Sequence, residues 1–404
     1  MKPLSLTLKG FRGIRDGLGR DELTLDFERL AGAAQLIAIA GPNGRGKTTL
    51  MDNMHPYLTM PSRAAIGGPG GFSYYDHVYL PENEKDLIWV HGDRCYQSQT
   101  VFRLNGKRKT EAFLFVHDTT GWEPVRLEDG TVSDGKVETY ERCVEAILGN
   151  AETFFTSVFS AQGKRQLTAY KNAEIKTLLA DLLGLDEIRI LGQKAAETAK
   201  LLKAGLTAMR HEQAGFDDES HRIAAVETAL GGWTLFAKCL SNDGVIALAI
   251  DDAGPVLSGL ANDLLLACYG ARFTVSIKTL VKTGKGEQRE GFDIVVHDAE
   301  STERKSVSLM SGGERVWINE CLVRAVALYL AQNTGRRYAT LFSDEADGPL
   351  DPERKRMFME MKREVLRLGG YDQEFFVSQT PELTAVADAV IDLDAIAMRE
   401  SLDV

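Results

Sequence analysis

A glycine-rich turn between an apolar run and a helix-forming stretch constrains the fold of this chain most. The turn is GPNGRGKTT, residues 41–49, and it follows the apolar run LIAI, residues 36–39. Gly41, Gly44 and Gly46 let the backbone curl so that several N–H groups face inward, and such a concavity matches phosphate oxygens at a helix N-terminus. The sequence therefore predicts a strand, a phosphate-binding loop and a helix.

The side chains of this loop indicate a nucleotide. Lys47 is placed to contact the terminal phosphates, and the hydroxyl of Thr48 is placed to bind magnesium. The alternative is a strand-to-helix turn that only resembles the motif. The predicted nucleotide-binding residues are Asn43, Gly44, Gly46, Lys47, Thr48 and Thr49.

A second glycine-containing segment, SGGE at residues 311–314, precedes an amphipathic stretch. A capping box explains Ser311 and Glu314, which would satisfy N–H groups at the start of a helix. It does not explain Gly312 and Gly313, because glycine lowers helix stability. Glycine is useful at such positions when another group must approach the backbone closely. A second phosphate is the natural candidate, bound by Ser311 and both glycines.

A pair of carboxylates ends an apolar strand, YATLFS, at Asp344 and Glu345. Successive side chains of a strand point to opposite faces, so Asp344 can approach magnesium while Glu345 polarises a water beside the terminal phosphate. Two acids at a strand end mean little alone. The pair indicates a nucleotide site because it follows the phosphate loop and SGGE in the chain.

Together, the motifs GPNGRGKT, LMSGGE, LFSDE and GPLD resemble the ABC-type ATPase heads of the SMC and SbcC families. The long stretch between the first two motifs contains paired heptad seams, as in SbcC, whose two arms leave the head there. The resemblance covers residues 1–200 and 240–404. It implies ATP and Mg2+ as cofactors and an α/β fold, a P-loop ATPase head with mixed β-sheets covered by helices, plus a short antiparallel coiled-coil hairpin.

The resemblance also assigns roles to single residues. Gln162, in SAQG, lies near magnesium and the attacking water in such heads, and Asp351, in GPLD, crosses a dimer interface. Arg12 matches an arginine near the nucleotide, although an exposed charge at a strand end explains it equally well. Gln379 stands where the family has a switch histidine. A glutamine can donate a hydrogen bond to the terminal phosphate, but it does not titrate and carries no positive charge near neutral pH.

Hydrophobic periodicity predicts the remaining organisation. Two seams of apolar residues spaced by threes and fours, at 188–209 and 223–240, predict a helical hairpin, with two ordinary amphipathic helices as the alternative. Helix and strand alternate over 308–394, which predicts a mostly parallel sheet covered by helices. The predicted domains are an N-terminal lobe (1–170), helical arms (171–245) and a C-terminal lobe (246–404).

Composition limits the classes of protein that remain. The net charge of −11 argues against a small basic nucleic-acid binder, although it leaves room for a local basic groove. The five cysteines show no CxxC spacing, so neither a disulfide framework nor a zinc site is indicated. The family's zinc hook is therefore missing, and the chain is either the head of a longer-armed protein or a short-armed relative. No signal core or long apolar run is evident, which predicts a cytoplasmic protein without a membrane.

The resemblance implies partners as well. Two heads would pair with each ATP between Lys47 and Thr48 of one copy and Ser311 of the other, and the pair would bind double-stranded DNA and a metal-dependent, SbcD-like nuclease. The candidate DNA-facing clusters are Lys107-Arg108-Lys109 and Lys164-Arg165, with solvated charged turns as the alternative. Two other functions stay open: an SMC-like chromosome-organising or defence-system clamp without a nuclease, and a transporter ATPase subunit.

Overall fold

The computed structural model describes residues 1–64, 72–119, 121–161, 172–212, 220–282, 288–300, 304–307, 310–333, 338–347 and 350–399. The chain divides into two compact units. The first comprises Met1–Ala169, Leu260–Phe273 and Ser308–Val404, and the second comprises Tyr170–Gly259 and Thr274–Val307. The three-part division at residues 170 and 245 stays a prediction.

The strands and helices are as follows, in chain order. The strands are β1 (Lys2–Lys9), β2 (Glu22–Asp26), β3 (Leu36–Ala40), β4 (Glu82–His91), β5 (Arg94–Arg103), β6 (Lys109–Asp118), β7 (Gly121–Pro124), β8 (Phe159–Ala161), β9 (Phe273–Lys282), β10 (Gln288–Asp298), β11 (Arg304–Ser306), β12 (Thr340–Asp344), β13 (Gln373–Val377) and β14 (Ala389–Asp392). The helices are α1 (Arg12–Leu18), α2 (Phe27–Ala31), α3 (Lys47–Met51), α4 (Pro61–Ala64), α5 (Val137–Leu148), α6 (Ala151–Val158), α7 (Asn172–Leu182), α8 (Asp186–Glu212), α9 (Ser220–Cys239), α10 (Val245–Tyr269), α11 (Gly312–Asn333), α12 (Pro352–Gly369), α13 (Pro381–Ala385) and α14 (Leu393–Arg399).

The first unit contains an antiparallel sheet in the order β2-β1-β4-β5-β6-β7. Buried and partly exposed residues alternate along β5, as expected for a strand with one face on the core. The turn from β5 to β6 contains Asn105-Gly106, and Gly106 has a φ of 68°. An Asn-Gly dipeptide favours a tight hairpin turn of this kind.

A second sheet of the first unit, in the order β14-β3-β13-β12-β8, is parallel at each of its pairings. This confirms the parallel sheet that the alternation of helix and strand predicted. The strands β3, β12 and β13 are buried almost throughout, which is typical of a sheet covered on both faces. Because the strands run in one direction, their carboxyl ends meet at one edge.

The second unit contains the helical hairpin. Helices α8 and α9 pack along each other in opposite directions, since Gly192 lies against Leu240 near one end and Arg210 pairs with Glu227 near the other. A Cβ at Gly192 would lie 2.7 Å from the carbonyl oxygen of Leu240, so glycine permits this close approach. The predicted antiparallel hairpin is confirmed. The unit also holds the three-stranded sheet β11-β10-β9.

Helix α10 is long and apolar enough to span a membrane by length and composition, and no other helix of the described ranges meets that test. A core helix of a soluble protein meets the same test. Ala261, Leu264 and Leu265 of α10 are buried in the first unit. The length and composition of α10 are therefore not evidence for a membrane-spanning helix.

Buried charges connect the parallel sheet to two of its helices. Arg324 of α11 pairs with Glu320 one turn away and with Glu374 of β13, both at 2.8 Å, and Lys362 of α12 pairs with Glu374 at 2.5 Å. Burial favours the neutral acid, but the charges of Arg324 and Lys362 hold the pKa of Glu374 below its usual value. Arg324 and Lys362 also donate to the hydroxyl of Ser343 in β12.

The Arg324→Met variant should lose about 3–5 kcal/mol of unfolding free energy, because it leaves Glu320 and Glu374 buried with one cation fewer. Urea denaturation of the purified chain measures this. The control is Arg367→Met, which breaks an exposed pair with Glu364 and should leave the stability almost unchanged. Equal stability of the two variants would show that the buried pairs do not hold the sheet to its helices.

Candidate functional site

The carboxyl edge of the parallel sheet brings some of the predicted site residues together. The phosphate loop follows β3, Asp344 ends β12 with Glu345 next, and Gln379 lies two residues beyond β13. The register aligns these ends, because Asp344 is paired with Val377 of β13 and with Ala161 of β8. Ligands of parallel α/β sheets bind at this edge. Gln162 follows β8 directly and lies outside the described residues.

The loop has the backbone conformation that its glycines predicted. Gly41, Gly44 and Gly46 have φ values of 137°, 84° and 84°, in the region that favours glycine. Lys47 is 6% exposed, and its Nζ donates to the carbonyl oxygens of Gly41 at 2.7 Å and Pro42 at 3.0 Å. Its ammonium group therefore lies inside the loop. Asn43 and Gly44 are exposed on the loop's outer turn, whereas Thr49 is buried on α3.

Helix α1 supports the loop from one side, and the sequence reasoning missed this. A Cβ at Gly17 would lie 2.5 Å from the carbonyl oxygen of Gly44, and a Cβ at Gly13 would lie 2.1 Å from Oγ1 of Thr49. Arg45 also donates to the carbonyl oxygen of Gly17 at 2.7 Å. Two glycines four residues apart in one helix were the available signal, since this spacing puts them on one face.

Arg12 begins α1, and its side chain is exposed. Its backbone N–H donates to the carbonyl oxygen of His77 at 2.9 Å. The structure thus places Arg12 on the helix that packs against the phosphate loop, one residue before Gly13. Its predicted contact with nucleotide stays a prediction.

Asp344 is the buried carboxylate of the site. Burial raises its pKa to about 6, the charge of Glu345 adds to this, and the Thr48 hydroxyl and Lys47 oppose it. Its Oδ1 is buried and has no partner at hydrogen-bond geometry. An unpaired carboxylate oxygen beside a threonine hydroxyl fits magnesium, a hard cation that keeps few protein ligands beside phosphates and water. Within the described ranges, no cluster of three His, Cys, Asp or Glu residues could hold a metal by itself.

Glu345 and Gln379 lie together at the edge of the sheet. The Nε2 of Gln379 donates a hydrogen bond to Oε1 of Glu345. Glu345 has a φ of 50°, the one positive φ outside glycine in the described part of the chain, and its N–H donates to the carbonyl oxygen of Val377 at 3.0 Å. Such backbone conformations cost energy and cluster at functional sites.

Asp347 was also missed by the sequence reasoning. Its Oδ2 accepts a hydrogen bond from the hydroxyl of Ser378 at 2.8 Å and lies 3.4 Å from Nζ of Lys355. Lys355 in turn donates to the hydroxyl of Thr380 at 2.6 Å. These contacts connect the segment after β12 with the segment that carries Gln379. In the sequence, the only signal was a third acid after the Asp344-Glu345 pair.

The SGGE segment forms the capping box that the sequence allowed. The hydroxyl of Ser311 donates to Oε2 of Glu314 at 2.8 Å, the backbone N–H of Ser311 donates to the same oxygen at 3.2 Å, and Arg272 pairs with Glu314 at 3.1 Å. Gly312 is exposed, its φ is not positive, and a Cβ there would meet no described atom within 4 Å. Nothing in the described chain requires glycine at this position. Gly313, next along α11, is partly exposed.

Asp351 forms the N-cap of α12, where its side chain accepts from the backbone N–H of Arg354 at 3.0 Å. The side chain is exposed. A helix cap explains an aspartate here. The predicted role of Asp351 across a dimer interface stays a prediction.

The basic hairpin tip is partly neutralised. Lys109 pairs with Glu111 at 2.7 Å, and the guanidinium of Arg108 lies 5.2 Å from the ring centroid of Tyr75. Lys107 is exposed and has no ion pair with a described residue. The second candidate cluster, Lys164-Arg165, lies outside the described residues.

Sequence comparison connects these motifs to known proteins. A family profile described as an AAA domain matches residues 5–69. The chain is 28% identical to the SbcC component of the SbcCD nuclease of Bacillus subtilis over 234 residues, which is 57% of this chain and 19% of that protein. It is 27% identical to a probable DNA double-strand break repair Rad50 ATPase of Aquifex aeolicus over 217 residues, which is 52% of this chain and 19% of that protein. The chain thus spans about a fifth of the length of these curated relatives.

Structure comparison agrees on the fold. The crystal structure of the Smc head domain of Pyrococcus furiosus, with an extended coiled coil and bound to the C-terminal domain of ScpA, aligns with a TM-score of 0.59 at 14% identity and covers 100% of both chains. At this identity the likeness concerns the fold alone. The fold is that of an Smc head domain and the sequence relatives are SbcC and Rad50 chains, which confirms the resemblance of this protein to the SbcC and SMC heads.

Proposed function

We propose that this chain is an ATP-dependent head that dimerises on ATP, binds double-stranded DNA and regulates a metal-dependent nuclease. One observation carries the proposal. The phosphate loop, the Asp344-Glu345 pair and Gln379 meet at a single edge of the parallel sheet. The names of the relatives, a nuclease component and a DNA-repair ATPase, support the DNA-related role.

The loop binds the nucleotide in this proposal. The Nζ of Lys47 lies on the carbonyl oxygens of Gly41 and Pro42, so a bound phosphate would exchange these contacts for a charge-assisted one. Backbone N–H groups from Asn43 to Thr49 hold the phosphates, with the positive end of α3 behind them. Gly13 of α1 faces the same loop, and Arg12 precedes it at the start of the helix.

Hydrolysis uses Glu345 and Gln379. Thr48, Gln162 and Asp344 would hold magnesium, which when bound would stabilise the charge on the transferring phosphoryl group. Glu345 takes the proton of the attacking water, and its fixed backbone and its hydrogen bond from Gln379 hold the carboxylate in place. Gln379 also donates to the terminal phosphate, without the positive charge that a histidine could carry.

The SGGE segment completes the site of a second copy. Ser311 and Gly312 are exposed, and no contact within the described chain explains the glycine. A phosphate from a partner head would approach this backbone at the N-terminus of α11. We therefore expect a homodimer with ATP between the loop of one head and Ser311, Gly312 and Gly313 of the other, with Asp351 at the interface.

The other candidate functions are less well supported. A chromosome-organising or defence clamp would use the same site without a nuclease, and the SMC-type fold keeps it as the second candidate. Co-purification distinguishes the two, since it recovers a nuclease in one case and a bridging chain in the other. A transporter ATPase is disfavoured by the interposed helical hairpin. A cytoplasmic location without a membrane partner accompanies the main proposal.

The dimer proposal predicts the behaviour of two substitutions. Glu345→Gln should bind ATP without hydrolysing it and should run as a dimer, because the base is lost while the phosphate contacts remain. Adding Ser311→Arg should keep ATP binding and return the chain to a monomer, because arginine blocks the partner's phosphate. Light scattering with ATP and Mg2+ measures the mass.

The matched control combines Glu345→Gln with Thr228→Arg, the same change of charge on an exposed position of α9. It should dimerise. If the Ser311→Arg protein dimerises as this control does, the composite site is refuted. If Glu345→Gln stays monomeric with ATP bound, Glu345 is not the base.

Helix α1 should control nucleotide affinity. In Gly17→Ala the added methyl group meets the backbone of Gly44 and Arg45 at 2.5–2.6 Å, so the loop must shift. ATP affinity should fall at least about tenfold, equivalent to roughly 1.4 kcal/mol. Calorimetric titration with a non-hydrolysable ATP analogue measures it. Gly205→Ala in α8, where a Cβ meets open space, should bind normally, and normal binding by Gly17→Ala would contradict the packing argument.

Lys107 should contribute to DNA binding at the hairpin tip. Lys107→Glu should weaken duplex binding and reduce the salt-dependence slope by about 1, because a phosphate contact is lost. Lys136→Glu is the control, since it makes the same charge change at a lysine already paired with Asp134. Fluorescence anisotropy over a salt series gives the slopes. If Lys107→Glu keeps the wild-type slope, the tip is a solvated turn.

A further inference from the structure

Three buried oxygen atoms without partners lie beside the phosphate loop. They are Oδ2 of Asp52, Oγ of Ser62 and Oδ1 of Asp344, and none has a partner at hydrogen-bond geometry. Buried polar atoms are normally paired, because an unpaired one loses its hydration without compensation. Three in one neighbourhood indicate a missing ligand.

The three residues belong to one neighbourhood for a structural reason. Asp52 follows α3 and stands four residues after Thr48, on the same side of the helix. Its Oδ1 accepts from the backbone N–H of Ser62 at 3.0 Å, which places the hydroxyl of Ser62 beside it. That hydroxyl and the hydroxyl of Thr48 also lie close enough to Asp344 to lower its pKa.

The charge of this cluster is negative. Asp52 is fully buried, and the charge of Asp344 reaches it. The positive groups nearby are Arg63, which acts on Asp52, and Lys47, which acts on Asp344 but donates to loop carbonyl oxygens instead. Glu345 adds further negative charge beside Asp344. Two carboxylates and two hydroxyls are the hard oxygen donors that Mg2+ and Mn2+ prefer.

We propose that Asp52 and Ser62 add to the protein side of the divalent-cation site already expected at Thr48 and Asp344, and that Asp52 is a cation-positioning residue. The inference rests on the proposed nucleotide site, because the phosphates would complete the cation's shell. A proton shared between Asp52 and Asp344 is the competing explanation of the unpaired oxygens. If the two carboxylates share a proton, Asp52 need not contribute to cation binding.

The test is Mn2+ binding to the whole chain without nucleotide, with free Mn2+ counted by electron paramagnetic resonance. Asp52→Asn keeps the Oδ1 acceptor for Ser62 and removes the charge, so it should fold and bind Mn2+ about 10- to 100-fold more weakly. Ser62→Ala should weaken binding too and serves as the second variant. Asp93→Asn, at an exposed turn between β4 and β5, is the matched control and should bind as the wild type does.

Thermal unfolding provides a second readout. Mn2+ should raise the melting temperature of the wild type and of Asp93→Asn, because a ligand that binds the folded state stabilises it, and should raise that of Asp52→Asn far less. Undiminished Mn2+ affinity in both Asp52→Asn and Ser62→Ala, or no Mn2+ binding by the nucleotide-free wild type, overturns the inference. Neither result depends on ATP-driven dimerisation, so this inference and the proposed function fail separately.

Discussion

The parallel alignment of β3, β13, β12 and β8 is the constraint on which the site depends. Each strand ends in a different functional segment, and hydrogen bonding in register brings these ends to one edge. A shift of register by one residue would turn Asp344 toward the opposite face of the sheet. The ion pairs of Arg324 and Lys362 with Glu374 join β13 to α11 and α12 and so oppose such a shift.

The buried charges in this head serve two different purposes. Around Glu374 the charges are paired, so they stabilise one arrangement of helix and sheet against a high desolvation cost. Around Asp52 and Asp344 the carboxylates have unpaired oxygens, and burial raises the pKa of Asp52 to about 7. Uncompensated buried charge is costly, and such sites are commonly functional. The paired charges around Glu374 therefore form a structural network, and the carboxylates of Asp52 and Asp344 form a candidate ligand site in the same unit.

Much of the site could be predicted because its signals are local. Gly41, Gly44 and Gly46 need positive φ, and an acid pair after an apolar run marks a strand end. The start of α3 at Lys47 followed from the glycine loop, whereas nothing in the loop indicates its end at Met51.

The sequence by itself determined which local elements are present: a phosphate loop, the SGGE capping box, a pair of acids, a helical hairpin and an alternating α/β order. Each of these depends on neighbours within a few residues. Only the tertiary structure decided that Gly17 touches the loop, that Gln379 bonds to Glu345, and that the backbone N–H of Ser62 donates to Asp52. These contacts join residues that are distant in the chain, and no local pattern encodes which buried atoms will meet or be left without a partner.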